Sequence, residues 1–447
     1  MWLLCGIPDG TLDVMNLIRV GVRPAPLVWL VVTGMACTSA YGQDRPELTL
    51  AAAIAEAQEK NPEIRTLDAD VASMRGDVVV ARTWELPELT LQPGMRRTRA
   101  SDGLTTTEFD GILELRQPIE FPGKRRLRRA LAEKDVELRQ LALAAFRAQL
   151  TIEVRHAFME LIARGQVQNL REQSLHLAMG FVDAARKKFE GGFASEFEVT
   201  KAEVEVLSAQ RALRTAQSQT TSTRIALNGL LGRKANVDFT PVGTLDTTVT
   251  LPPQDDLLQR VFARNPELKI RGAEIDRARL NLQSISKSRL PDFSVGPSIE
   301  HLKDEQTYGA GFTLPLPLWN SKKGEIISAT AERDRAMAEL ERLKQDVARD
   351  VATAYQSLVS TKESVALFTP DLMAKVKGAL DTTTRDYAEG RTNLLTYLEA
   401  QRTYFDTQAD YFDTLQELND AQAALETAVG VPFSDLGKPV DEQDNTR

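Results

Sequence analysis

Apolar side chains recur along most of this chain at helical spacing, but in four short stretches the period drops to two. Leu50, Ile54 and Ala57 form one helical stripe, Asn61-Pro62 interrupts it, and Ile64, Leu67 and Val71 resume it. At Leu86 the pattern changes. Leu89, Leu91 and Met95 alternate with Glu88, Thr90, Gln92 and Arg96; beyond a polar loop, Phe109, Gly111, Leu113 and Leu115 alternate with Glu108, Asp110, Glu114 and Arg116. These stretches predict strands over about 86–97 and 106–117, each with one apolar and one polar face. The alternation returns at about 290–300, with Phe293, Val295 and Ile299 on the apolar side, and at about 307–317, with Tyr308, Ala310, Phe312 and Leu314. Strands of about ten residues are the length a tilted strand needs to cross a bilayer, although two hairpins of a soluble sheet would read the same way. Four strands cannot close a barrel, and lipid tolerates no open edge. A membrane reading therefore requires several subunits to share one barrel.

Each strand pair leads through a turn, at 117–126 and 314–324, into a long helical run. Residues 123–189 would reach roughly 100 Å as one helix, with Gly165 and Gly180 as soft points. The counterpart in the second half is expected to break near Pro370. The returning helix carries a heptad stripe of Tyr397, Tyr404, Tyr411, Leu418 and Leu425, with Leu398, Phe405 and Phe412 beside it.

The order of elements repeats because the sequence does. Phe189, Gly192 and Ser195 return as Tyr387, Gly390 and Asn393, an offset of 198 (390 minus 192). In each copy glycine ends one helix and Ser or Asn caps the next, so both are hairpin tips. Residues 61–93 align without a gap to 265–297, both beginning Asn-Pro-Glu, and ALNGLLG at 226–232 stands opposite ALETAVG at 424–430. The chain reads as a tandem duplication, with a first repeat at 43–240, a second at 241–435 and a tail at 436–447. A Pro-, Thr- and Asp-rich linker at 233–256 joins them.

Residues 1–42 read as a secretory leader: Arg19 and Arg23, an apolar run at 27–35, then Ala40-Tyr41-Gly42 as the cleavage site. Met15 is a better start than Met1, and the apolar run is too short to span a membrane. Both cysteines, Cys5 and Cys37, lie in this leader, so the exported chain would have no thiol. Cys37 is a poor lipidation site because Gly34 stands where such signals prefer Leu. The composition, 42% hydrophobic and 26% charged, suits long packed helices, and a net charge of -8 argues against nucleic acid as a partner. With the leader gone, the tryptophans are Trp84, before the first strand, and Trp319, after the fourth. Together with Phe121 they predict an interfacial girdle on one side of a bilayer.

No motif for phosphate cradling, zinc hydrolysis or a serine nucleophile occurs, so no enzyme, cofactor or metal site is expected. His156, His176 and His301 are scattered and read as surface or packing residues. Lys124, Arg125, Arg126, Arg128 and Arg129 beside Phe121 suit lipid phosphate, or simply a solvated helix start.

Taken together, these residues resemble the TolC-like outer-membrane efflux family over essentially the whole mature chain. The stretches EFPGKRR and LPLPLWNSKKGEI are similar to its heavy-metal branch. The resemblance implies a mainly α fold with a membrane β-barrel portion: a homotrimer whose twelve strands form one outer-membrane barrel, continued by a periplasmic helical tunnel. It implies a passive duct without cofactors, set in outer-membrane lipid and served by an inner-membrane, proton-driven pump. A periplasmic adaptor would dock at the tips around Gly192, Ser195, Gly390 and Asn393. Glu198 and Glu399 fall on acidic positions of the family's constricted entrance and Tyr387 on its tyrosine; Thr392 holds the expected basic position, with Arg391 beside it. Drug export and type I protein secretion remain alternatives to metal export, and a periplasmic adaptor is a weaker one because no small β domains interrupt the helices. The residues alone also allow plainer roles. Ser195 to Glu198 is a capping box, Glu399 can pair with Arg402, and Tyr387 can be tip packing.

Overall fold

The computed structural model describes residues 46–99, 101–245, 253–302, 305–316, 318 and 321–433. The leader, Trp319 and the 436–447 tail lie outside the described residues.

The first repeat opens with β1 (Glu47–Thr49), α1 (Leu50–Lys60) and α2 (Pro62–Arg82). Asn61 makes the break between the helices: its Oδ1 accepts from the Glu63 amide at 2.9 Å, with Pro62 in the first turn, where its missing N–H costs nothing. Its Nδ2 donates to the carbonyl of Leu230 at 3.0 Å, at the far end of the repeat. Asn265 does the same in the second repeat, accepting from the Glu267 and Leu268 amides at 2.9 and 3.1 Å and donating to Val429 O at 3.1 Å. Gly232 and Gly430 follow these carbonyls in the left-handed region, with φ of 69° and 83°. A Cβ on Gly232 would lie 2.6 Å from Lys60 O, and one on Gly430 would lie 2.7 Å from Pro266 Cδ. The Asn-Pro-Glu motif and the terminal glycine are thus two halves of one joint that closes each repeat.

Four strands, β2 (Glu88–Arg99), β3 (Thr105–Ile119), β5 (Phe293–Leu302) and β6 (Glu305–Thr313), form an antiparallel sheet in that order. The ladder between β3 and β5 joins the repeats. Leu89 pairs with Leu115, Met95 with Phe109, Leu113 with Ile299, and Val295 with Phe312. Because side chains alternate along a strand, all of these share one face. That face is bare in the single chain: Leu89 is 68% exposed and Met95 81%. The opposite face carries Glu88, Arg116, Glu114 and Glu300. β3 runs past the expected 117 because Pro118 and Ile119 pair with Ser294 and Phe293 of the other repeat. The fourth strand stops at Thr313 rather than 317; Pro315 supplies no amide to continue a ladder.

The helix after β3, α3 (Lys124–Glu190), is continuous through Gly165 and Gly180. It packs against the returning α4 (Glu196–Leu230) around Phe158, Leu161, Leu227 and Phe239. β4 (Thr240–Val242) pairs in parallel with β1, so the linker expected simply to join the repeats also adds a strand beside the chain's first. The second repeat continues with α5 (Gln254–Arg264) and α6 (Pro266–Lys287). After β6, its long run divides into α7 (Lys323–Ala366) and α8 (Pro370–Ala388), where Thr369 caps and Pro370 opens the new helix. α9 (Leu394–Val429) buries Tyr397, Leu418 and Leu425 of the heptad stripe. Among the described residues no helix is long and apolar enough to cross a membrane.

Candidate functional site

The two tips repeat one hydrogen-bond pattern. Phe193 N donates to Lys188 O at 2.8 Å and Gly192 N to Phe189 O at 2.9 Å; Arg391 N donates to Asp386 O at 2.8 Å and Gly390 N to Tyr387 O at 3.1 Å. Gly192 and Gly390 have φ of 75° and 73°, a conformation in which a Cβ is unfavourable, so glycine closes both helices. The next helix is capped in each case. Ser195 Oγ accepts from Glu198 N at 3.4 Å, and Asn393 Oδ1 accepts from Thr396 N at 2.9 Å. Around them, Phe193 is 85% exposed and Phe197 73%.

Behind the tips, three aromatic residues join the repeats. The Phe181 ring of α3 stacks on Tyr397 of α9 at 4.7 Å, and Tyr387 of α8 lies 5.0 Å from Phe181 and 5.6 Å from Tyr397. Burial pushes the Tyr397 phenol up to about 12, with Tyr387 adding to the effect. Burial also raises Tyr387, followed by the negative charge of Glu198. The Tyr387 hydroxyl is nevertheless buried without a hydrogen-bond partner among the described residues.

The structure therefore brings Glu198 and Tyr387 together but separates the other expected entrance residues from them. Arg391 turns away: its Nη2 lies 2.7 Å from Asp386 Oδ1, and it also pairs with Glu389. Thr392 is half-buried between the tip glycine and Asn393. Glu399 lies two residues beyond Tyr397, on another side of α9, where it is exposed in a groove of about 690 Å³ with Lys375, Ala379, Leu395 and Thr403. It does not hold Arg402, which pairs with Glu205 of α4 at 3.0 Å.

Sequence reasoning missed Lys188. Its ammonium sits over the Tyr387 ring and bonds to that residue's carbonyl, across the two repeats. The available signal was a pair of lysines, Lys187 and Lys188, in the last turn of α3, a position that ordinarily serves the helix dipole.

At the sheet end of the helices, Trp84 is 57% exposed with the Arg125 guanidinium 4.1 Å above its ring. Phe121 N donates to Asp292 Oδ1 at 2.6 Å, binding the turn after β3 to the chain before β5. Among the described residues no group of three or more His, Cys, Asp or Glu could hold a metal ion.

Compared with known proteins, residues 53–233 and 257–431 both match the family model described as Outer membrane efflux protein. The chain is 28% identical over 359 residues to the cobalt-zinc-cadmium resistance protein CzcC of Cupriavidus metallidurans, covering 80% of this chain and 84% of that one. It is 24% identical over 339 residues to the nickel-cobalt-cadmium resistance protein NccC of Alcaligenes xylosoxydans xylosoxydans, covering 74% and 75%. Its fold is similar to the crystal structure of the outer membrane protein VceC from Vibrio cholerae, with a TM-score of 0.67 at 18% identity, over 86% of this chain and 96% of that one.

Proposed function

The chain belongs to the outer membrane efflux protein family, and from that premise we propose that three copies form one passive duct, through which a periplasmic adaptor and an inner-membrane pump export heavy-metal cations. It is an efflux channel of the outer membrane, not an enzyme. One observation carries the trimer reading: the four-stranded sheet leaves β2 and β6 as open edges and its apolar face uncovered. Lipid accepts such a face only when the edges are closed, and three copies joined edge to edge give twelve strands.

The metal reading comes from the names of the two relatives above and not from a ligand cluster, so the metal is cargo. The exposed Phe193 and Phe197 beside Gly192 and Ser195, with Gly390 and Asn393 at the second tip, are the adaptor-docking surface in this reading. Glu198, Tyr387 and Glu399 line the entrance, and the pump is proton-driven. The repeats divide at 240/241. Trp84 and Phe121 form the part of the membrane girdle within the described residues.

Light scattering on detergent-extracted mature protein is expected to give a trimer, and planar bilayers containing it are expected to conduct. A stable water-soluble monomer would overturn the barrel reading. Loss of cobalt, zinc or cadmium tolerance on deletion, restored by the wild-type chain, supports the metal cargo; unchanged tolerance with a working pump and adaptor removes it.

A further inference from the structure

The turn between β3 and α3 encloses a pocket of about 610 Å³ that the duct function does not use. Its apolar wall is Trp84, Ile119, Phe121 and Phe293, and its rim carries Arg82, Arg125, Arg126 and Arg129. Ile119 and Phe293 are directly paired in the ladder, and both lie on the same sheet face as Leu113 and Ile299. The pocket therefore belongs to the apolar outer face and not to the acidic one.

Its charge balance is positive. Glu133 is shared by Arg129 at 2.8 Å and Arg82 at 3.2 Å, and these two cations hold its carboxyl below the usual carboxylate range. Glu120, also in the lining, is paired with Arg128. Arg125 has the Trp84 ring as its partner, and Arg126 is exposed with no carboxylate partner among the described residues. The same two arginines occupy the first turn of α3, which has no side-chain cap and no acidic residue. That turn adds the positive end of the helix dipole to their charge. An apolar wall continuous with a lipid-facing sheet, ending in the guanidinium groups of Arg125 and Arg126 that no carboxylate among the described residues neutralises, matches a ligand with an acyl chain joined to a phosphate anion.

We propose that this pocket binds the phosphate of an anionic phospholipid from the leaflet on the helical side of the membrane, with Arg125 and Arg126 on the phosphate and the acyl chain along Ile119 and Phe293. The proposal rests on the membrane reading above. Its shared chemistry with free phosphate is a phosphate anion, and the test separates the two sources.

The mature chain carrying Trp319→Phe, which leaves Trp84 as its tryptophan, is reconstituted in phosphatidylcholine vesicles containing brominated phosphatidylglycerol or, separately, brominated phosphatidylcholine. Several-fold stronger quenching of Trp84 by the phosphatidylglycerol is expected. The double variant Arg125→Gln/Arg126→Gln is expected to insert equally well and to lose that preference. Equal quenching by the two lipids in the parent overturns the proposal, as does a preference that survives in the double variant. Relief of the quenching by inorganic phosphate at millimolar concentration overturns the lipid assignment in favour of the free anion. Failure to insert into either vesicle instead overturns the membrane reading, and with it the premise of the pocket.

Discussion

The ammonium of Lys188 lies 3.8 Å from the centroid of the Tyr387 ring and donates a 2.6 Å hydrogen bond to the Tyr387 carbonyl. One lysine of the first repeat thus clamps the tip of the second. A charged hydrogen bond is worth about 1.5–3 kcal/mol and an exposed cation–π contact about 0.5–1 kcal/mol, and because they share one ammonium they do not simply add. Lys188→Met keeps an apolar stem and removes both contacts. It is expected to destabilise the α8–α9 tip by about 1–3 kcal/mol, seen as faster amide exchange at Gly390 and Arg391 with unchanged exchange in the strands. Unchanged exchange at the tip would show that the clamp contributes nothing.

The Tyr387 hydroxyl gives a sharper test of the entrance. Leaving a buried hydroxyl unpaired costs about 1–3 kcal/mol, so Tyr387→Phe should leave the thermal midpoint unchanged or higher. If the hydroxyl finds its partner across the assembled entrance, the same variant should raise resting single-channel conductance in planar bilayers. Unchanged conductance would remove the hydroxyl from the closure and leave Tyr387 as packing between Phe181 and Tyr397.

Glu198 and Glu399 divide what the sequence could say from what it could not. Ser195 and Glu198 stand in capping-box order, and the cap half of that box forms. The glutamate's charge instead bears on Tyr387, which is 189 positions away (387 minus 198). Strands, tips, the Asn-Pro breaks and the Pro370 interruption were legible because each depends on residues within one turn or one period of each other. The closing joint of Asn61 with Leu230 was visible only as two separate motifs. Arg155 with Glu426 and His156 with Asp420 were not visible at all, because their partners are set by how α3 packs on α9. Three-residue strands such as β1 and β4 are too short to show a period.

Glu399→Gln tests the groove between α8 and α9. If three copies of Glu399 converge on the axis, their like charges attract cations in a narrow passage, whereas a solvated glutamate is screened. The variant should weaken polyvalent-cation block of single-channel current, and Glu198→Gln is the comparison from beside Tyr387. Block at the wild-type level in Glu399→Gln would leave Glu399 as an ordinary exposed residue of α9.

The left-handed glycines of the two tips and the two closing joints should divide into two classes. Gly192→Ala and Gly390→Ala meet nothing within 4 Å of the new Cβ, so each should cost only the backbone term of about 1–2 kcal/mol. Trimer yield should persist, and bulky or charged replacements at the same sites should block adaptor crosslinking and export. Gly430→Ala adds a Cβ 2.7 Å from Pro266 Cδ and 3.1 Å from Asn265 Nδ2, so it should also disrupt the joint and lower the yield of folded trimer. Equal yields for Gly390→Ala and Gly430→Ala would show that the joint yields freely.

His156 supplies a pH dependence with a definite sign. Its Nε2 lies 2.6 Å from Asp420 Oδ1, and Gln416 Nε2 donates to the same oxygen at 2.8 Å. The bond to Asp420 raises the imidazole pKa most; burial and Arg155 oppose it, and the charges of Asp420 and Glu160 assist. A folded-state pKa above the unfolded value of about 6.5 means that the stabilisation is complete below that value and is lost as pH rises through the folded pKa. Because the pair is partly exposed and screened, its contribution is about 1 kcal/mol or less. Thermal midpoints of the detergent-solubilised protein, taken from about pH 5 to about pH 9, should fall across the imidazole range, and His156→Gln should flatten that fall. Asp420→Asn should flatten it too, since the neutral amide no longer favours the imidazolium. A wild-type slope that persists in both variants would assign the titration to another group and leave His156 as a packing residue between α3 and α9.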